Sequence, residues 1–333
     1  MKNLFTQVEF PQDFPPIHHL QHWLLMGSCF ASEIGVRLRD GKIPCLLNPY
    51  GVLYNPLSIV TSLNEIMDGK EYGADELFEY QGLWHSAMHH GDFSTDSREE
   101  TLRLINTSLR EAHEVSTRLD GLLMTWGSAY VYRDVDSGRV VGNCHKLPEE
   151  HFRRSMLAVD EIVAATDALI MRLLVQNPSL KVIMTVSPIR HVRDGLHENT
   201  LSKSTLHLAL HELCSRYPKV VYYFPAYEIM TDELRDYRFY ADDLVHPSRM
   251  AVDYIWECFS NCFFSKETAA LMLEVEKINK SLSHRPLHPE SGEYGQFIRQ
   301  IELKINRIAE KYPKLDFEKE RELCYTRLNK CRT

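Results

Sequence analysis

Two short segments, far apart in the chain, carry the residue types that acyl transfer requires. The first is Gly27-Ser28-Cys29-Phe30-Ala31, directly after the apolar run Trp23–Met26. The second is Asp242-Asp243-Leu244-Val245-His246-Pro247. Cys29 and Ser28 are nucleophiles that need a base. His246 is a base that needs its tautomer fixed, and Asp243 stands three residues before it, close enough to fix it. With the carboxylate on one ring nitrogen, the other nitrogen is left for the nucleophile. Each segment also has a plainer reading. A free cysteine is most often a small buried apolar residue, Ser28 suits a helix N-cap, and Asp242 or Asp243 suits a cap as well. The two segments together favour chemistry.

The elements around these segments alternate between strand and helix. Trp23–Met26 reads as a strand, and Phe30, Ile34 and Leu38 recur at helical spacing. Residues 43–47 form a second apolar run before the turn Asn48-Pro49-Tyr50-Gly51. Helices are expected over 56–67, 98–118, 160–176 and 202–217, and strands over 121–125, 181–186 and 220–224. Asp136-Ser137-Gly138 marks a hairpin within 131–141. Residues 69–97 read as loop-rich. Beyond Met250 the pattern is helical, with Tyr294, Phe297, Ile298, Ile301, Ile305 and Ile308 on one stripe. This alternation implies an α/β fold with a mostly parallel sheet. Ligands of such sheets bind beyond the carboxyl ends of the strands, where Gly27-Ser28-Cys29 falls. A helix N-terminus there favours an anion and depresses a thiol pKa.

Composition narrows the function classes. The chain has 333 residues, 44% hydrophobic, with a formal net charge of −8. No basic run suggests a nucleic-acid surface, and no apolar segment is long enough for a bilayer. Residues 1–16 lack an apolar signal core. Eight scattered cysteines without a CxxC pair fit reduced thiols. The expectation is a cytoplasmic protein, with no membrane or nucleic-acid partner and an undetermined oligomeric state. A catalytic domain over 1–262 and a helical extension over 263–333 are expected.

The two chemical segments resemble those of the SGNH (GDSL-like) hydrolase superfamily, and more closely the GSCFA domain family. The likeness runs through Asn48-Pro49-Tyr50-Gly51, Tyr54-Asn55-Pro56, Trp84-His85-Ser86, His89-His90, Gly142-Asn143-Cys144-His145-Lys146, Ser187-Pro188-Ile189-Arg190-His191, Asp194-Gly195 and Asp243–Pro247. It implies a three-layer α/β/α sandwich with a five-stranded parallel sheet. It also sets Cys29 where the superfamily has its nucleophilic serine, and Ser28 where that superfamily has Asp. Cys29 is therefore the first candidate and Ser28 the second. Gly51 or Gly127 would stand for the oxyanion glycine, and Asn143 or Asn55 for the oxyanion asparagine.

Other polar residues are candidates to line the same edge. His85 and His89, four apart, would aim at a metal if one helix carried both. The only nearby acid is Asp92, and a polar pocket wall is the preferred reading, with no metal or cofactor expected. His145 and Lys146 offer positive charge to an anionic group, or else sit on a solvated hairpin. Arg190 and His191 follow a strong strand and can orient a carboxylate or phosphate, or hold a loop. The expected function is an esterase or O-acyltransferase acting on an ester or thioester of a small molecule or carbohydrate, with acetyl-CoA a candidate substrate. The alternatives are a non-catalytic binding module on the same fold and a metalloenzyme built on His85, His89 or His90.

Overall fold

The computed structural model describes residues 6–11 and 13–330. Residues 1–5 and 12, part of the stretch read as lacking a signal core, lie outside the described residues. So do residues 331–333 of the expected C-terminal extension.

The strands are β1 (Trp23–Gly27), β2 (Cys45–Leu47), β3 (Leu77–Tyr80), β4 (Leu83–Ser86), β5 (Gly121–Trp126), β6 (Tyr130–Asp134), β7 (Val140–Val141), β8 (Phe152–Met156), β9 (Lys181–Val186) and β10 (Val221–Tyr223). The principal helices between them are α1 (Cys29–Asp40), α2 (Pro56–Asp68), α3 (Arg98–Ser116), α4 (Val159–Gln176) and α5 (Leu196–Arg216). Five strands form one sheet in the order β10-β9-β5-β1-β2, every neighbouring pair parallel. With its helices this is a three-layer α/β/α sandwich. β1 and β5 are buried at every position, and so is β9 after Lys181. Their sequences are accordingly apolar runs rather than alternating ones.

The strand order fixes where a site can form. From β1 the chain steps to β2 on one side, then returns to β5 on the other. The order reverses between β1 and β5, and a crevice opens beyond their carboxyl ends. Two antiparallel pieces stand apart from this sheet: the β3–β4 hairpin and the three-stranded β7-β6-β8 sheet. Residues 69–97, expected to be loop-rich, contain the first of these. Its turn is Gln81-Gly82, both in the left-handed region at φ 52° and 77°, a two-residue hairpin geometry.

Two compact units divide the chain. One comprises the segments up to Pro15, Gln21–Gly35 and Cys45–Phe263. The other comprises Pro16–Leu20, Val36–Pro44 and the chain from Phe264 on. The expected extension at 263–333 is thus only part of the second unit, which also takes two early segments. Its helices, Lys266–Ser283, Gly292–Lys311 and Glu318–Lys330, share a core of Leu271, Val275, Ile298, Ile301, Ile305 and Phe317. On the expected stripe only Phe297 departs, at 40% exposed. Among the described residues no helix is long and apolar enough to cross a membrane.

Candidate active site

The turn after β1 can be built only with glycine. Gly27 has φ 136°, and a Cβ there would lie 2.2 Å from the Thr125 carbonyl oxygen on the neighbouring β5. Its backbone is fully engaged. The Gly27 N–H donates to Asn48 Oδ1 at 2.9 Å, and its carbonyl accepts from Leu53 N at 3.0 Å. Asn48 Nδ2 in turn donates to Ser32 Oγ at 3.0 Å. The segment read from sequence as a plain turn, Asn48–Gly51, therefore holds the Gly27-Ser28-Cys29 turn in place.

Ser28 and Cys29 have different fates. Ser28 is 1% exposed. Its hydroxyl accepts from Phe30 N at 3.4 Å and its carbonyl from Ala31 N at 2.8 Å. That is helix-capping work inside the core. Cys29 opens α1 and is only half-buried. Burial, and after it the nearby Cys29, pushes the Tyr54 phenol up to about 12.

The Asp243–His246 loop is held for orientation. Asp243 Oδ1 accepts the N–H groups of Val245 and His246, both at 2.9 Å, and Oδ2 lies 2.6 Å from His246 Nδ1. The backbone bond from His246, then that from Val245, then the imidazole hold this carboxyl down at about 2. An ionised carboxylate only accepts, so Nδ1 carries the proton and Nε2 is the basic nitrogen. The loop closes on itself through a Tyr240–Pro247 bridge and a 2.8 Å bond from Ala241 N to His246 O, with Leu244 at φ 58°. His246 is half exposed.

His191 stands beyond the end of β9, beside Gly127 and Tyr54. Its N–H donates to Asn199 Oδ1 at 2.9 Å, and its ring meets the Tyr54 ring edge-on at 5.7 Å. Burial, then the charges of Lys203 and His246, lower it to about 4, while the adjacent Gly127 backbone works against them. Tyr54 and His191 are therefore ring neighbours, and the charge of His246 reaches His191. Arg190, beside His191, has a buried Nε with no hydrogen-bond partner.

The expected oxyanion donors are mostly committed elsewhere. The Gly51 N–H donates to Asn48 O at 2.7 Å, and the Gly127 N–H to Tyr54 O at 2.8 Å. Asn55 caps α2, accepting from Ser58 N at 2.8 Å and donating Nδ2 to Ser58 Oγ at 2.9 Å. Asn143 accepts from His145 N at 2.8 Å through Oδ1, which leaves its amide N–H groups outside that bond.

The histidine segment is not helical. His85 is on β4 and His89 in the turn after it, so the shared helix face needed for a paired metal ligand does not exist. His85 Nε2 donates to Tyr80 O at 3.1 Å and Nδ1 accepts from Ser94 Oγ at 2.7 Å. His89 stacks on Tyr50 at 4.3 Å with Nδ1 2.9 Å from Ser86 Oγ. His145 donates Nε2 to Ser86 O at 2.8 Å and lies 4.3 Å from the His85 ring. Burial lowers His89 to about 3 and His145 to about 4. Among the described residues, no three His, Cys, Asp or Glu side chains gather as metal ligands. Lys146 is exposed, at φ 61°.

Two residues escaped the sequence reading. Tyr54 stands inside a motif of the resemblance but was not among the site candidates. Lys203, on α5, is 2% exposed and donates Nζ to Gly127 O at 2.7 Å and Ser187 O at 2.8 Å. It ties together the carboxyl ends of β5 and β9. Its signal was legible: Asn199, Ser202, Leu206, Ala209, Leu210 and Leu213 make a buried stripe with Lys203 inside it.

A parallel α/β sandwich with a thiol at the β1 turn and an Asp–His pair on a later loop defines a class of proteins. The GSCFA family model matches residues 22–259, and a GSCFA C-terminal domain model matches residues 275–330. The chain belongs to the GSCFA family. Among curated proteins no match is found.

Proposed function

We propose that the protein is an acyl-transfer enzyme of the SGNH hydrolase type, with Cys29 as nucleophile, His246 as base and Asp243 as the group that orients the base. The observation that carries this reading is the Asp243–His246 pair, held by three hydrogen bonds to the carboxylate. The charge of His246 reaches His191, whose ring meets Tyr54 edge-on, and Tyr54 in turn feels Cys29, which supports one neighbourhood for the two segments. His246 Nε2 takes the thiol proton, and the sulfur attacks an ester or thioester carbonyl. Water completes hydrolysis, or a sugar hydroxyl completes transfer. Reduced cysteines fit a cytoplasmic setting, where acetyl-CoA is available as donor. A thiolate exchanges readily with thioesters, which favours transferase over esterase.

Ser28 is the weaker nucleophile candidate because its hydroxyl is buried as a cap. The test is turnover of p-nitrophenyl acetate by variants. Cys29→Ala and His246→Ala are expected to lose about 10³-fold or more. Ser28→Ala is expected to keep turnover while losing about 1 kcal/mol of stability. Full activity in both Cys29→Ala and His246→Ala would end the proposal. A second reading, a binding module without catalysis, draws on the committed Gly51, Gly127 and Asn55 donors. It expects no ester or thioester turnover in the wild-type protein.

A further inference from the structure

Arg190 is a cation without a counter-ion. It is half-buried, its Nε is shut off from water, and among the described residues no side-chain hydrogen bond or ion pair engages its guanidinium. The charged residues that follow it in the chain are already engaged. Arg193 reaches Glu149, and Asp194, the nearest acid in the sequence, is taken by Arg154. Glu198 accepts from the Tyr130 hydroxyl at 2.5 Å. A buried lysine can escape the cost of an unpaired charge by shedding its proton, but an arginine cannot. A guanidinium left in this state is stabilised by an anion that reaches it.

The sheet register puts this cation on the edge that bears Cys29. Gly27 lies opposite Thr125 on β5, and Trp126 lies opposite Val186 on β9. Just beyond, Ser187 N donates to Trp126 O at 2.8 Å. His191 Nε2, also buried without a partner, is 3.3 Å from the place a Cβ on Gly127 would occupy. The sequence leaves Arg190 two roles, orienting an anion or holding a loop. A loop-holding arginine needs an acceptor on the loop or its support, and Arg190 has none among the described residues.

We propose that Arg190 binds an anionic group of the substrate, a carboxylate or a phosphate, through its unpaired guanidinium. As a statement about substrate this rests on the acyl-transfer reading above. The anion site itself stands on the unpaired cation. The planar fork of N–H donors matches two oxygens of either group. The substrate class then narrows from esters and thioesters at large to those that carry a negative charge away from the scissile bond. Neutral esters lack this contact and bind more weakly, while the chemistry at Cys29 is unchanged.

Two measurements test it, and the first needs no turnover. At constant ionic strength, about 10 mM inorganic phosphate or succinate in place of chloride is expected to raise the wild-type melting temperature by about 2–4 °C. Arg190→Met is expected to melt no lower than wild type in chloride and to lose that rise. The anion that gives the rise identifies the group. No rise with either anion, an equal rise in both proteins, or a variant that melts well below wild type in chloride would overturn the anion site. The second measurement compares donors that differ by one charge: S-acetylphosphopantetheine against S-acetylpantetheine for a phosphate, and mono-p-nitrophenyl succinate against p-nitrophenyl butyrate for a carboxylate. Arg190→Met is expected to raise KM for the charged member of one pair by about 10- to 100-fold with kcat unchanged, and to leave the neutral member alone. An equal loss on charged and neutral donors would overturn the proposal. Absence of turnover with every donor in the wild type would overturn the acyl-transfer reading, and the melting result would still decide the anion site.

Discussion

Lys203 places an amine where most folds place a leucine. Burial lowers it from the ordinary lysine value of 10.5 to about 7. Its neighbours His191 and His207 are also lowered, chiefly by burial. A neutral amine still donates two hydrogen bonds, so the Gly127 and Ser187 carbonyls keep their partner after deprotonation. Between pH 7 and 10.5 the unfolded chain holds a proton at this position that the folded chain has released, so this group makes stability rise with pH. Cys144, Cys214 and Cys258, pushed up to about 11, and Cys262, to about 12, act in the opposite direction above pH 9. The clean window is therefore pH 7.0 to 8.5. There the stability advantage of wild type over Lys203→Met in urea unfolding is expected to grow by at most about 2 kcal/mol. A difference that does not change with pH would mean that Lys203 stays charged.

At the scale of elements, the β3–β4 hairpin and the 142–146 turn form a block around buried neutral histidines. Below pH 6.5 the unfolded chain protonates them, but folded His89 resists to about 3, and His145 and the more distant His191 to about 4. Stability is therefore lost as pH falls from 6.5, approaching about 4 kcal/mol per pH unit if all three contribute fully. His89→Phe, which keeps the stacking on Tyr50, is expected to remove about a third of that slope in melting experiments between pH 6.5 and 5. An unchanged slope would show that His89 is not one of the groups responsible. This block is also where the sequence was least legible. The runs 23–26, 121–125 and 181–186 announce buried parallel strands because both faces are covered. β3 and β4 mix Leu, Phe, Trp and Tyr with Glu and His, and their shared turn is only Gln81-Gly82. β8, Phe152–Met156, is mostly exposed and carries two arginines, so nothing in its pattern separates it from loop. The site was half legible. Residue type and spacing single out Asp243, His246 and Cys29 as candidates, and the fold does pair Asp243 with His246. The engagement of the Gly51 and Gly127 amides depends on carbonyls that only the folded chain brings near.

At the scale of the whole molecule, the second unit is assembled from both ends of the sequence. Within it Lys42 Nζ pairs with Glu320 at 2.7 Å and lies 5.1 Å over the Phe317 ring. Asn279 Nδ2 donates to Asp40 O at 3.0 Å, and a Cβ on Gly41 would meet Met272 Cε at 2.3 Å. A chain ending at residue 263 retains the whole of the 22–259 family match yet strands residues 36–44. It is expected to melt several degrees lower and to be cut by protease within 36–44 first. An unaltered melting temperature and cutting pattern would refute this. The same arrangement bears on biosynthesis. Residues 36–44 leave the ribosome about 220 residues ahead of their partners, an interval on the order of 10–50 s at ordinary elongation rates. Throughout that wait the nascent chain holds Lys42 without Glu320 and Gly41 without Met272, so slower translation or a chaperone bound over 36–44 is expected to raise the yield of matured protein.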